Sequence, residues 1–315
     1  MIVTLTPNPS IDRTVHLARL RRGELNRASA PSSEAAGKGL NVSRALHAHG
    51  FETVAVLPLA SETATTYLTL LDDAVPIAPV PTSGSVRINL TIAEPDGTVT
   101  KVNEPGPDLD ETEVAALIAA ADVATADWLV GCGSLPPGAP VDLYARLARL
   151  ASPTRRIAVD TSGEALRACL SPSVDLLKPN LAELEELIGE RLSTLADVLD
   201  VARSIVSGGV RAMLVSLGAD GALYVDRHRA LHAEANVDRV VNTVGAGDAL
   251  LAGYLAAGGG PSALETAVAW SVAAVRSAST WMPKVREEDR VAVVVLVDVD
   301  RARPLRRALA VAERR

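Results

Sequence analysis

The stretch "NTVGAGDALLAGYLAAGG", residues 242–259, places a glycine turn directly ahead of an apolar pattern. Ala249, Leu250, Gly253, Tyr254 and Ala257 share one helical face, so a helix is expected near 246–257. Gly245, Ala246 and Gly247 open that helix. The first amides of a helix have no partner within it, and the helix dipole adds positive potential there, so such a turn can hold an anion. Glycine lets the backbone approach a phosphate closely. Asp248 falls in the first helical turn. On this stretch alone two readings stand: Asp248 stabilises the helix start, or it accepts a proton from an alcohol while the amides hold charge on a transferring phosphoryl group.

Outward from this turn, short β-branched runs alternate with helical patterns. Strands are expected at Ile2–Thr6, Thr53–Leu57, Trp128–Val130, Ile157–Asp160, Leu176–Lys178 and Met213–Leu217. Helices are expected near 39–49, 62–73, 110–121, 141–150, 181–189, 194–207, 246–257 and 262–279. This alternation predicts an α/β fold, a mostly parallel sheet covered on both faces. Val42, Ala45, Leu46 and His49 mark one buried helix face, with Gly50 as its stop. Two segments break the alternation. Residues 11–33 mix charged and apolar side chains, and "RINLTIA" and "TVTKVN" alternate by twos around Pro95-Asp96-Gly97, a hairpin signal. Segments 11–33 and 84–106 are expected to form a small antiparallel sheet beside one domain spanning 1–315. The run "VAVVVLVDV" (291–299) reads as a strand by propensity, with a closing helix as the alternative.

Composition narrows the function. Of 315 residues, 48% are apolar but only one is Phe, so the core must be built from Ala, Val and Leu. The net charge of −7 argues against a broad nucleic-acid surface. Cys132 and Cys169 are too few for a disulfide framework or a zinc site, and read as packing residues. The five histidines have no metal-ligand spacing. No signal-peptide pattern opens the chain and no run approaches a membrane span, so a cytoplasmic protein with no membrane partner is expected.

Two common nucleotide motifs are absent. Gly245 and Gly247 begin a G-x-G-x-x-G, but Leu250 stands at its end; Gly37-Lys38 is followed by Gly39 where a P-loop requires Ser or Thr. Nine ordered stretches point elsewhere: "TLTPNPSIDRT" (4–14), "AAGKGLNVSRAL" (35–46), "VRINLTI" (86–92), "NEPGP" (103–107), "GSLPPG" (133–138), "VDTSGEAL" (159–166), "KPNLAELEEL" (178–187), "VSLGADGAL" (215–223) and "NTVGAGDA" (242–249). Together they resemble the ribokinase-like (PfkB) carbohydrate kinases over nearly the whole chain, and within them the 1-phosphofructokinase branch.

The resemblance implies a three-layer αβα sandwich with a β-sheet lid, often paired between subunits, hence a homodimer. It implies ATP and Mg2+ as cofactors and a phosphosugar as substrate. Asp248 corresponds to the catalytic base, and Gly245, Ala246 and Gly247 to the anion hole. Asn180 and Glu183 match an N-x-x-E motif near Mg2+ and the ATP phosphates, with contacts that can run through water. Ser216, Gly218 and Gly221 correspond to nucleotide contacts, with Asn242 and Val244 close by. Asp12, Asn41 and Ser134 correspond to residues around the sugar. Lys38, between Gly37 and Gly39, corresponds to a cation for the phosphate already on the substrate, joined by Arg87 and Arg27 from the lid segments; arginine's planar fork suits that task. The implied reaction is phosphorylation of fructose 1-phosphate, with tagatose 6-phosphate or fructose 6-phosphate as the alternative substrate. An alternative of another class is a non-catalytic phosphosugar sensor.

The chain departs from the family pattern in three places. "LPLASETATTYL" (57–68) lacks the usual glycines, "GSVR" (84–87) replaces a "GETR", and "STWMPKV" (279–285) stands near the expected adenine pocket, with Trp281 and Met282 as wall candidates.

Overall fold

The computed structural model describes residues 1–71, 75–277 and 283–306. The chain opens with β1 (Ile2–Leu5), leaves the core through β2 (Ser10–His16) and β3 (Ser29–Ala36), and returns in α1 (Lys38–Ala48). β4 (Thr53–Ala60), α2 (Ala64–Leu71) and β5 (Ile77–Thr82) follow. A second excursion, β6 (Arg87–Ala93) and β7 (Val99–Asn103), precedes α3 (Glu111–Ala121). Strand and helix then alternate through β8 (Trp128–Cys132), α4 (Leu143–Ala148), β9 (Arg156–Asp160), α5 (Gly163–Ala168), β10 (Leu176–Leu177), α6 (Leu181–Ile188), α7 (Leu195–Ser207) and β11 (Ala212–Ser216). β12 (Ala222–Asp226) and β13 (Ala230–Ala235) form a hairpin before α8 (Ala246–Ala256) and α9 (Leu264–Arg276). α10 (Glu287–Val291) and β14 (Val293–Leu296) close the sheet, so the ambiguous C-terminal run is a strand behind a short helix.

The main sheet has the order β14-β13-β12-β11-β10-β9-β8-β1-β4-β5. It is parallel from β11 to β5 and antiparallel beyond β11. Alternating strand residues feed two aliphatic cores. Leu129, Ile157, Val159 and Met213 pack with α3 to α7, while Val130, Ala158 and Leu214 pack with α1, α8 and α9. Strands buried on both faces read as continuous apolar runs, which is why their sequences lack a polar alternation. Gly253 lets α8 and α9 touch: a Cβ there would lie 2.8 Å from the Thr266 carbonyl.

Three strands escaped sequence reading. β5 is "IAPVPT", and its prolines argue against a strand interior; it is tolerated because it forms the sheet edge. β12 (ALYVD) and β13 (ALHAEA) are short, and β13 is half alanine, a weak strand former.

The two excursions form one four-stranded sheet, ordered β3-β2-β6-β7. Its outer pairs are antiparallel, as expected, and they are joined by a parallel central pair running from Ser10↔Arg87 to His16↔Ala93. The glycine-free 57–68 stretch ties this lid to the core. Thr63 Oγ1 accepts from the Val86 amide at 2.9 Å, Glu62 accepts from the Ser85 hydroxyl, and Tyr67 donates to the Ala36 carbonyl at 2.9 Å. His49 caps the α1 face as expected, stacked on Trp270 with ring centroids 4.0 Å apart. Trp281 and Met282 lie outside the described residues.

Candidate active site

The chain turns toward β4 after β1 and later enters β8 on β1's other side. In open α/β sheets the crevice at such a reversal, beyond the carboxyl ends of the strands, is where ligands bind. The predicted residues gather there. α1 begins at the crevice and approaches β1 so closely that a Cβ on Gly39 would lie 2.5 Å from Thr6 Oγ1.

α8 starts at Ala246 behind Gly245, whose φ of 78° is a left-handed conformation that glycine adopts without strain. Asp248 is the third helical residue and is only 8% exposed. Its Oδ2 accepts a 2.9 Å hydrogen bond from Asn41 Nδ2 on α1. Burial first, and then the nearby Asp160 carboxylate, push the Asp248 carboxyl up to about 7, against the pull of Lys38, Asn41 and Lys178. A carboxylate in that range accepts a proton readily near neutral pH.

Asp160 ends β9 and is 1% exposed. Its Oδ1 lies 2.9 Å from Lys38 Nζ and its Oδ2 2.9 Å from Lys178 Nζ. Burial disfavours its charge, yet Lys178 and Lys38 hold the carboxyl below the usual carboxylate range. Lys38 also lies 3.3 Å from Glu183 Oε1. Burial would lower the Lys38 ammonium, but Asp160 and Glu183 outweigh it and raise it. Lys178 follows β10 and stands beside the glycine turn: a Cβ on Gly247 would lie 3.5 Å from its Nζ. Buried Lys178, Asp160 and Asp248 and the half-buried Lys38 and Gly245–Gly247 turn therefore form one ionic group.

Sequence reading placed Lys38 on the phosphate that the substrate brings. Its ammonium donates to Asp160 Oδ1 at 2.9 Å and to Glu183 Oε1 at 3.3 Å. Asp160 and Lys178 were missed as site residues. Their signal is positional: each stands at the carboxyl end of a short apolar strand.

Asn180 and Glu183 form a reciprocal cap on α6. The Asn180 side chain accepts from the Glu183 amide and Glu183 Oε2 from the Asn180 amide, both at 2.8 Å. Ser216 lies alongside: its amide donates to the Pro179 carbonyl at 3.1 Å. Gly218 opens the 3-10 turn Gly218–Asp220, and Gly221 seats it on β13, where a Cβ would lie 2.0 Å from the Ala233 carbonyl. Asn242 accepts from the Val244 amide at 3.0 Å, which shapes the approach to Gly245.

The lid side is more polar and more open. Asp12 Oδ1 accepts from Ser10 Oγ at 2.7 Å and from Asn89 Nδ2 at 2.9 Å, so Asn89 joins the predicted residues. Arg87 bonds the Glu104 carbonyl through Nη1, and its buried Nε has no partner. It lines a cavity of about 460 Å3 between residues 83–87 and 104–108. Asn8, another residue missed, bridges the Pro105 carbonyl at 3.0 Å and the exposed Ser134 hydroxyl at 3.4 Å. Arg27 is exposed in the loop before β3, and no hydrogen bond or ion pair among the described residues ties it to this group.

A buried carboxylate, a glycine turn at a helix start and two adjacent ammonium groups thus meet at one crevice of an α/β sandwich. Residues 5–280 match the pfkB family carbohydrate kinase pattern, and the chain belongs to that family. It is 37% identical to the 1-phosphofructokinase of Haloferax volcanii over 82% of this chain and 84% of that one. It is 38% identical to the 1-phosphofructokinase of Rhodobacter capsulatus over 81% and 82% of the two chains. The crystal structure of phosphofructokinase-2 from Escherichia coli in complex with potassium superposes with a TM-score of 0.84 and 32% identity, covering 92% of this chain and 96% of that one. The chain is thus a carbohydrate kinase. No helix among the described residues is long and apolar enough to cross a membrane.

Proposed function

We propose that the chain transfers the γ-phosphoryl group of ATP to the C6 hydroxyl of fructose 1-phosphate, giving fructose 1,6-bisphosphate and ADP. The observation that carries the reading is Asp248: buried, oriented by Asn41, raised to about 7 and set one residue behind the glycine turn. The names of the two curated relatives favour fructose 1-phosphate.

The hydroxyl gives its proton to Asp248 as its oxygen forms a bond to the γ-phosphorus. The bond from that phosphorus to the β–γ bridging oxygen breaks, and ADP leaves with its electron pair. The amides of the Gly245–Gly247 turn and the ammonium of Lys178 stabilise charge on the moving group. Lys38, between Asp160 and Glu183, acts on the same charge rather than on the distal phosphate. Asp12, held by Ser10 and Asn89, accepts sugar hydroxyls. Arg87, with a free buried Nε, receives the 1-phosphate, and Ser134 lines the same end. No group of three or more His, Cys, Asp or Glu side chains forms a metal cage among the described residues. Glu183 and Asn180 suit an Mg2+ carried on the ATP phosphates and reached through water, where it would offset phosphate charge.

The lid face turned away from Asp12 carries Ile88, 37% exposed, and Val102, 54% exposed. These side chains support pairing of two lids in a homodimer.

The test is ADP release with Mg-ATP and, side by side, fructose 1-phosphate, fructose 6-phosphate, tagatose 6-phosphate and fructose. A preference of about tenfold in kcat/KM, some 1.4 kcal/mol of discrimination, is expected for fructose 1-phosphate. Another phosphosugar in the lead would overturn the substrate and keep the mechanism. ATP binding without turnover of any sugar would favour a sensor.

A further inference from the structure

The chain continues past the family-matched segment, which ends at residue 280, and its last described residues return to the nucleotide side. β14 adds to β13, with His232 opposite Leu296. Residues 297–306 then run as a strap over the start of α7. The Leu195 amide donates to the Arg303 carbonyl at 3.0 Å, the Ala196 amide to the Arg301 carbonyl at 3.2 Å, and the Leu305 amide to the Ser193 carbonyl at 2.9 Å. Those contacts satisfy two first-turn amides of α7 that no helical carbonyl can reach.

The strap also reaches Asp220, the fully buried last residue of the Gly218–Asp220 turn. Asp220 Oδ1 lies 3.3 Å from Arg303 Nη2, and Oδ2 accepts from the Arg306 amide at 2.5 Å. The Arg303 guanidinium also grips Glu234 on β13. On the other side of the turn, His232 Nε2 donates to the Asp220 carbonyl at 2.7 Å. The turn is therefore fixed at its carboxylate by the strap and at its carbonyl by β13. Within the turn the Leu217 amide donates to the Gly221 carbonyl at 2.8 Å, and Gly218 and Gly221 bound it with φ of 60° and 82°, conformations that glycine adopts without strain. Without Arg303, Asp220 keeps only the exposed Arg306 guanidinium, 3.7 Å away, and a buried carboxylate with so weak a cation is unfavourable, so the turn should shift toward water.

We propose that the strap 297–306 is a brace for the nucleotide loop, and that Asp220 and Arg303 are positioning residues that set the affinity for Mg-ATP without touching it. This rests on the reading of Ser216, Gly218 and Gly221 as nucleotide contacts. The brace acts on the nucleotide and not on the sugar, because the turn adjoins Asn180 through Ser216 and shares no contact with the lid.

The experiment compares the full-length protein with Arg303→Met, Arg303→Lys, Asp220→Asn and the double variant Asp220→Asn with Arg303→Met. Calorimetric Mg-ATP binding and both Michaelis constants are measured for each. Arg303→Met should raise the Kd and KM for Mg-ATP about tenfold while the sugar KM stays within about twofold. Arg303→Lys, the second variant should the first fail to fold, should recover part of that loss. The double variant should be no worse than the more affected single one, because both remove one pair. Arg301→Ala, which breaks only the exposed pair with Asp200 on the same strap, should leave the Mg-ATP values unchanged. Equal rises in both Michaelis constants, or unchanged Mg-ATP binding in folded Arg303→Met and Arg303→Lys, would overturn the brace. Absence of Mg-ATP binding by the unaltered protein would instead overturn the nucleotide reading beneath it.

Discussion

The two halves of the site hold their charges in different ways. At the α8 end, Asp248, Asp160 and Lys178 are each less than a tenth exposed and are fixed by core elements. At the lid end, Asp12 and Arg87 sit on a four-stranded sheet whose strands are largely solvated. Buried charges interact strongly because little water screens them, and each depends on its neighbours for its protonation state. Lid charges are screened and adaptable. On the proposed reading, the difference separates chemistry from choice: the core end would fix the reaction, and the lid end would set the sugar.

The contrast is sharpest for Asp248→Asn. Turnover should fall by about 10³-fold or more, the scale of a lost general base, while Mg-ATP binding persists. Near-normal turnover would place the base elsewhere. Asp160→Asn probes the same end through stability. It leaves Lys38 and Lys178 without their shared partner, a loss of about 3–5 kcal/mol for a broken buried pair, read as a drop in the denaturant midpoint. A loss under about 1 kcal/mol would show the lysines to be solvated. At the lid end, Arg87→Ala should raise the phosphosugar KM by about 10–100-fold with kcat and fold stability little changed, the loss of one charge-assisted phosphate contact. A large fall in stability there would erase the distinction between the halves.

The acid limb of the pH profile separates the halves with a smaller effect. The free protein should lose kcat/KM as pH falls below about 7, because Asp248 then takes up a proton. Asp160→Asn should move that limb to lower pH, since it removes a carboxylate that raises Asp248. Arg87→Ala should leave it in place. The same shift has a thermodynamic side. Asp248 is raised in the fold, so its ionisation works against stability as pH climbs from about 4 through about 7. Asp248→Asn should therefore be more stable than the unaltered protein at pH 8, on the order of 2 kcal/mol, with the gap closing toward pH 4. A constant gap across that range would mean Asp248 is not buried as charge.

The fold was legible because strand–helix alternation is a local signal. β1, β4, β8, β9 and β11 each lie within about two residues of their predicted bounds at every end but one, β4 running three residues further. β5 was hidden by Pro79 and Pro81, whose position at the edge no local pattern reveals. In the site, Asp248 was legible because its glycine turn is adjacent in sequence. Asp160 and Lys178 were not, since they meet Lys38 only when β9, β10 and α1 converge. The same convergence gives Lys38 partners that its glycine neighbours do not reveal: carboxylates from β9 and α6.

β2 and β6 run parallel from a common root at Ser10 and Arg87, with Asp12 in register with Asn89. Tyr67 on α2 holds the Ala36 carbonyl at the end of β3, and Thr63, just before α2, holds the Val86 amide ahead of β6. Acid, amide and guanidinium therefore stand on one hydrogen-bonded pair of strands, and a displacement of that pair would carry all three together. Asp12 and Asn89 are joined directly to each other, so a sugar bound there, as proposed, would meet donors and acceptors already in place.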